Sequence, residues 1–256
     1  MIVRKSAAEV AKIGAAGAIL ADCLDMLSVE AGPGVTTAQL DQMAEQFIRR
    51  RGGVPTFLGY HGFPGSICAS PNDMVVHGIP GPYRIVAGDL MSLDVGVTLD
   101  GYIADSAVTL PIGTIDPEGE MLLAVTAESL EAGLAECIEG RRLGDISHAV
   151  QEVVEAAGFS VVRSLVGHGV GREMHEDPQI PNYGEPGRGP RLEEGMVFAI
   201  EPMVNVGEHD VYVAEDGWAI STSDGSLSAH FEHTVAVGKK TPRVLTRRHA
   251  EHGHGR

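Results

Sequence analysis

Cysteine is scarce. Cys23, Cys68 and Cys137 are an odd, scattered set with no CxxC pair. That excludes a disulfide framework and a cysteine-built zinc site, and it fits a reducing cytoplasm. Basic residues are also few: 19 Lys and Arg stand against 35 Asp and Glu, a formal charge of −16. So acidic a chain is unsuited to coating DNA or an anionic membrane, but suits a site that gathers carboxylates around cations. Long apolar runs are missing too. The Ala/Gly/Ile/Leu-rich stretch after Arg4 and Lys5 is interrupted by Lys12, Asp22 and Asp25. It falls short of the ~18 apolar residues of a membrane span and reads as an amphipathic helix rather than a leader. No low-complexity tract occurs, and 43% hydrophobic with 21% charged residues is an ordinary globular composition. A chain of 256 residues suits one large domain or two small ones.

Helix-start signals come in pairs. Ser6-Ala7-Ala8-Glu9 has the capping-box form and predicts a helix to about Val29, stopped by Gly32-Pro33-Gly34. Thr36 and Gln39 open a second to about Arg51. Asp116-Pro117 starts a third, to about Glu139, and Asp145 a fourth that ends at Gly158. Strands are expected at 73–77, 89–97 and 102–110, and again around 161–166, 196–202, 211–222 and 230–237. Helix, helix, strands thus occurs twice. Residues 241–256, with His249, His252 and His254, read as a polar, flexible tail behind a single domain of residues 1–240.

Acidic residues stand where strands want apolar ones. Asp100-Gly101 is a strong two-residue hairpin turn. It pairs Leu99 with Tyr102, sets Asp94 opposite Ala107, and so turns Asp94 and Asp105 to one face. Two buried acids side by side are costly without a shared cation. Glu201, before Pro202, and Glu232 sit equally within apolar segments. His168, between Gly167 and Gly169, presents an imidazole at a strand end, while His77 and His175 lie in similar settings. Asp94, Asp105, Glu201 and Glu232 carry four negative charges, matching two divalent cations. With His168 as a nitrogen donor, they suit Mn, Fe, Co or Zn better than calcium.

The segments Gly59-Tyr60-His61-Gly62-Phe63, His77-Gly78-Ile79-Pro80, Asp94-Val95-Gly96, Gly167-His168-Gly169-Val170-Gly171, Glu201-Pro202-Met203 and Phe231-Glu232-His233-Thr234 resemble type I methionine aminopeptidases. The resemblance runs from about Val3 to Val237. It implies an α+β pita-bread fold, two αβ halves related by a pseudo-twofold axis around a dinuclear metal site. It implies five metal ligands, Asp94, Asp105, His168, Glu201 and Glu232, of which Asp105 and Glu232 bridge. It further implies His77 and His175 as substrate-binding histidines, Glu201 as proton shuttle, and a methionine pocket including Tyr60, Phe63, Cys68 and Trp218.

The activity implied is removal of the N-terminal methionine from nascent proteins and peptides, with a small second residue preferred. Its chemistry is attack by a metal-bridging hydroxide on the first peptide bond. A cytoplasmic monomer is the family expectation, and ribosome docking through Arg49-Arg50-Arg51 or Arg247-Arg248 is an additional one. Phe57, Phe63 and Met174 depart from residues common in the family, which bears on pocket shape. The rivals are an Xaa-Pro peptidase or a non-enzymatic binding module on the same fold. His77-Gly78-Ile79-Pro80 and Trp218 favour methionine over proline, and all five ligand positions are kept.

Overall fold

The structure is a computed structural model describing residues 2–249. It opens with α1 (Ala7–Glu30) and α2 (Thr37–Arg50), then β1 (Val54–Pro55), β2 (Ile67–Pro71), β3 (Met74–Val76), β4 (Leu90–Leu99) and β5 (Tyr102–Pro111). A second helix pair, α3 (Pro117–Ala135) and α4 (Leu143–Ala156), precedes β6 (Ser160–Val161), β7 (Val166–Gly169), β8 (Glu176–Pro181), β9 (Val197–Ile200) and β10 (Met203–Asn205). The chain continues through β11 (Val211–Val213), β12 (Ile220–Thr222), β13 (Ser228–His230), β14 (Glu232–Ala236) and β15 (Arg243–Val244).

Local chemistry sets the helix starts. Ser6 and Glu9, like Thr36 and Gln39, exchange side-chain and backbone hydrogen bonds, satisfying two orphan donors at each N-terminus. Asp116 caps α3 from the Gly119 N–H at 2.7 Å, with Pro117 first in the helix. α4 begins earlier than expected. Asp145 is its third residue, not its cap, and its carboxylate accepts from Arg142 N at 2.7 Å.

The main sheet runs β1-β4-β5-β14-β9-β7-β8, with β2 beside β4 and β15 beside β14, all pairs antiparallel. Period-two alternation divides its faces. Met91, Leu93, Val95 and Val97 of β4 pack with Ile13, Leu20 and Leu24 of α1 and with Leu40 and Ile48 of α2. Phe198 and Ile200 of β9 and Val235 of β14 pack with Leu130 and Leu134 of α3. The alternate residues face the other way, and these include the acids.

Strand expectations change as well: 161–166 divides into β6 and β7, and 230–237 is broken at Phe231 into β13 and β14, each pair split between two sheets. Residues 211–222 form a hairpin, not one strand: residues 215–218 make the turn, with Gly217 at φ 78°, and Asp216 accepts from the N–H groups of Trp218 and Ala219. The supposed flexible tail is, over residues 241–249, packed onto the domain. β15 pairs with β14, Leu245 is buried in the first core, and Thr246 hydrogen-bonds His233 and Thr234. Burial of the Leu245 side chain and the Thr246 hydrogen bonds anchor the segment just after β15. His252 and His254 lie outside the described residues. Among the described residues, no helix is long and apolar enough to cross a membrane.

Candidate metal centre and substrate cavity

The hairpin register forms as the Asp100-Gly101 turn requires. Both turn residues have positive φ (49° and 76°), Leu99 pairs with Tyr102, and Asp94 with Ala107. Ala107 also pairs with Glu232 across β14, so Asp94, Ala107 and Glu232 form one cross-sheet row. The next row is held by Thr234, whose hydroxyl accepts from Asp105 N (2.9 Å) and donates to Asp105 O (2.8 Å). Thr234 pairs with Ala199, and Ala199 with His168. Glu201, two residues beyond Ala199, reaches the same face. Sheet register alone thus collects four acids and one histidine from five strands or their ends. Gly169 is small by necessity, because a Cβ there would collide with the Asp177 carbonyl. A Cβ at Gly167 would likewise meet the Ala199 carbonyl of β9, so close backbone approach on both sides explains the Gly-His-Gly run.

The cluster is buried and electrostatically frustrated. Glu232 is 2% exposed and Asp105 3%. Asp94 Oδ1, Asp105 Oδ1 and Glu232 Oε1 are buried without hydrogen-bond partners. Burial pushes the Asp94 carboxyl up to about 7. Burial, reinforced by neighbouring carboxylates, holds Asp105, Glu201 and Glu232 well above the usual range. His168 is driven down to about 4 by burial and then by nearby His175, so its ring is neutral at pH 7. Its Nδ1 lies 2.9 Å from the Gly169 carbonyl, which keeps the proton on Nδ1 and leaves the Nε2 lone pair facing Glu201 (3.5 Å) and Asp105 (3.8 Å). Asp105, His168 and Glu232 offer donor atoms all within 4.8 Å of one another. Orphaned carboxylate oxygens around a bare imidazole nitrogen fit divalent cations, which would satisfy atoms left without a partner among the described residues.

One cavity of about 260 Å³ is lined by all eleven site residues expected from the sequence. Its apolar wall carries Phe63 and Trp218, edge to face at 5.1 Å, with Tyr60, Cys68, Phe57 and Met174 nearby. Burial pushes the Cys68 thiol well up, an effect that Asp94 strengthens, so it lines the wall as a neutral group. His77 adopts a left-handed φ of 62°, a strained conformation for a non-glycine residue. Burial, then His175, lowers its pKa. The His175 pKa is also lowered, by burial and then by His61. His175 Nδ1 lies 2.7 Å from the Tyr60 hydroxyl.

His230 was not singled out in the sequence. It lines the cavity at 2% exposure, with Nε2 at 3.9 Å from Glu232 and 4.0 Å from Glu201. The available signal was its spacing: two residues before Glu232, it falls on the same side of the chain.

An acid-and-imidazole donor set at the floor of an apolar cavity is that of a metal-dependent hydrolase, and the chain belongs to metallopeptidase family M24, whose model matches residues 11–239. Within that family it is similar to the methionine aminopeptidases. It is 51% identical to methionine aminopeptidase 1 of Bacillus subtilis, over 96% of this chain and 100% of that protein. The crystal structure of methionine aminopeptidase from Thermotoga maritima superposes with a TM-score of 0.95 at 44% identity, covering 97% of this chain and all of that one. The prolidase of Pyrococcus furiosus, at 21% identity and a TM-score of 0.76, shares the fold alone, and this chain covers 65% of it. The fold is the pita-bread fold.

Proposed function

We propose that this chain is a methionyl aminopeptidase that removes the N-terminal methionine from peptides and nascent proteins, preferring a small second residue. The observation that carries this reading is the single cavity in which an acid and imidazole cluster adjoins an aromatic, thioether-compatible wall. Asp94, Asp105, His168, Glu201 and Glu232 would hold two divalent ions, drawn from Co, Mn, Fe or Zn. When bound, such ions supply Lewis-acid polarisation of a carbonyl and acidify water near neutral pH.

The remaining work belongs to the side chains. With the Tyr60 hydroxyl, 2.7 Å away, donating to His175 Nδ1, the His175 proton would sit on Nε2, available to a substrate carbonyl oxygen and the charge that develops on it. His77, neutral and fixed by its backbone, contacts the scissile amide nitrogen. Glu201 carries a proton from the attacking water to the leaving amine. Trp218 and Phe63, with Tyr60 and Cys68, receive the methionine side chain and exclude water from it. The favoured site of action is the cytoplasm, on free N-termini, by a monomer.

Ribosome docking has less support. Arg49 is paired with Glu45, Arg51 with Asp22, and Arg247 with Glu131, so these cations already serve the fold.

The test compares methionine release from Met-Ala-Ser with alanine release from Ala-Pro-Ser by the ion-loaded protein. Methionine release alone is expected. Preferential cleavage of Ala-Pro-Ser would move the assignment to an Xaa-Pro peptidase, and inertness toward both would favour a binding module.

A further inference from the structure

His230 has no assigned part in this chemistry, yet it is built into the site. Its backbone is clamped by Thr109, whose hydroxyl accepts from His230 N at 2.8 Å and donates to His230 O at 2.9 Å. Met203 pairs with it across β10, and Phe231 N reaches Pro202 O at 3.3 Å, which fixes this strand end beside Glu201. Among the described residues, its buried Nε2 has no hydrogen-bond partner.

The Glu201 carboxylate lies between two imidazoles. Oε1 faces His168 Nε2 at 3.5 Å, and Oε2 faces His230 Nε2 at 4.0 Å. The two rings differ in one respect. His168 Nδ1 is engaged by the Gly169 carbonyl, which leaves its Nε2 bare as a ligand atom. Among the described residues no carbonyl contact fixes the His230 Nδ1, so its Nε2 is free to carry the proton.

We infer that His230 is a positioning residue whose Nε2–H donates to the outer oxygen of Glu201, holding that carboxylate in the orientation proton transfer needs. Glu201 is the acceptor rather than Glu232, although both are within 4.0 Å. Glu201 is the residue proposed to carry the proton, and its Oε2 is turned to His230 while its Oε1 is turned to His168. The inference rests on the ligand roles proposed above.

The direct test is nitrogen-15 NMR of histidine-labelled, zinc-loaded protein, with His230→Leu identifying the signal. The expected spectrum shows His230 protonated on Nε2, bare on Nδ1, and without a metal-bound shift, beside His168 protonated on Nδ1. A metal-bound Nε2, or a proton on Nδ1, overturns the assignment.

Kinetics give the second readout. His230→Leu should lower kcat by about 10- to 100-fold with KM nearly unchanged and zinc stoichiometry intact. His230→Gln supplies an amide donor in the same place and should recover most of that loss. Unchanged kcat in His230→Leu, or no recovery in His230→Gln, refutes the role. Wild-type protein that releases no methionine defeats the peptidase reading instead, and the spectrum still decides the donor.

Discussion

Replacing Asp94 by Asn in the metal-free protein should stabilise it, although the residue is a proposed ligand. Burial raises the folded-state pKa of Asp94 from 3.8 to about 7. Between those values the folded protein keeps a proton that the unfolded chain has released. Stability therefore falls as pH rises through this window, and the full penalty is present above pH 7. At 1.36 kcal/mol per pKa unit, the penalty at pH 8 is at most about 4 kcal/mol. Asn keeps the shape, cannot ionise, and also relieves Asp105, which Asp94 repels. For a chain of this size the gain amounts to roughly 10 °C in Tm. Differential scanning fluorimetry of both proteins in excess chelator, from pH 4 to pH 8, measures it. The variant should gain over wild type as pH rises, with the difference vanishing near pH 4. Added Mn or Co should raise the wild-type Tm and raise that of Asp94→Asn much less. A variant no more stable than wild type in chelator at pH 8, or one stabilised equally by metal, would refute the reasoning.

Other perturbations follow from single contacts. Gly169→Ala should destabilise by about 1–3 kcal/mol or more, because its Cβ meets the Asp177 carbonyl, and it should weaken metal loading by moving His168; chemical denaturation and metal titration read both. Tyr60→Phe removes the hydroxyl that sets the His175 tautomer, so steady-state assays should show kcat about tenfold lower with little change in KM. Lys5 Nζ lies 2.6 Å from Glu176 Oε2, with Lys5 buried and Glu176 half-buried, so Lys5→Met should cost about 3 kcal/mol in urea unfolding.

Much of the site was legible because its signals are local. The Asp100-Gly101 turn fixes the β4–β5 register within twelve residues, and register determines which face Asp94 and Asp105 share. The Ser6, Thr36 and Asp116 caps are likewise short-range chemistry. The family resemblance supplied the roles of His77, His175 and the aromatic wall, which spacing alone does not assign. What was missed depends on long-range packing. Leu245 and Thr246 look like tail residues until α1 and β14 are seen to cover them. The turn at residues 215–218 was obscured by apolar residues on both sides, which read as one continuous strand. His230 sat unremarked because its neighbour Glu201 is 29 positions away in the chain and adjoins it only through the β10–β13 pairing.

The central claim is that this carboxylate and histidine cluster holds ions that make the chain a methionine-releasing peptidase. Its most direct test is free methionine released from Met-Ala-Ser by the purified protein, by the chelated protein, and after anaerobic return of Mn, Fe or Co. Release that chelation abolishes and metal restores is the result expected. Release that persists through complete chelation would contradict the claim, as would no release with any metal returned.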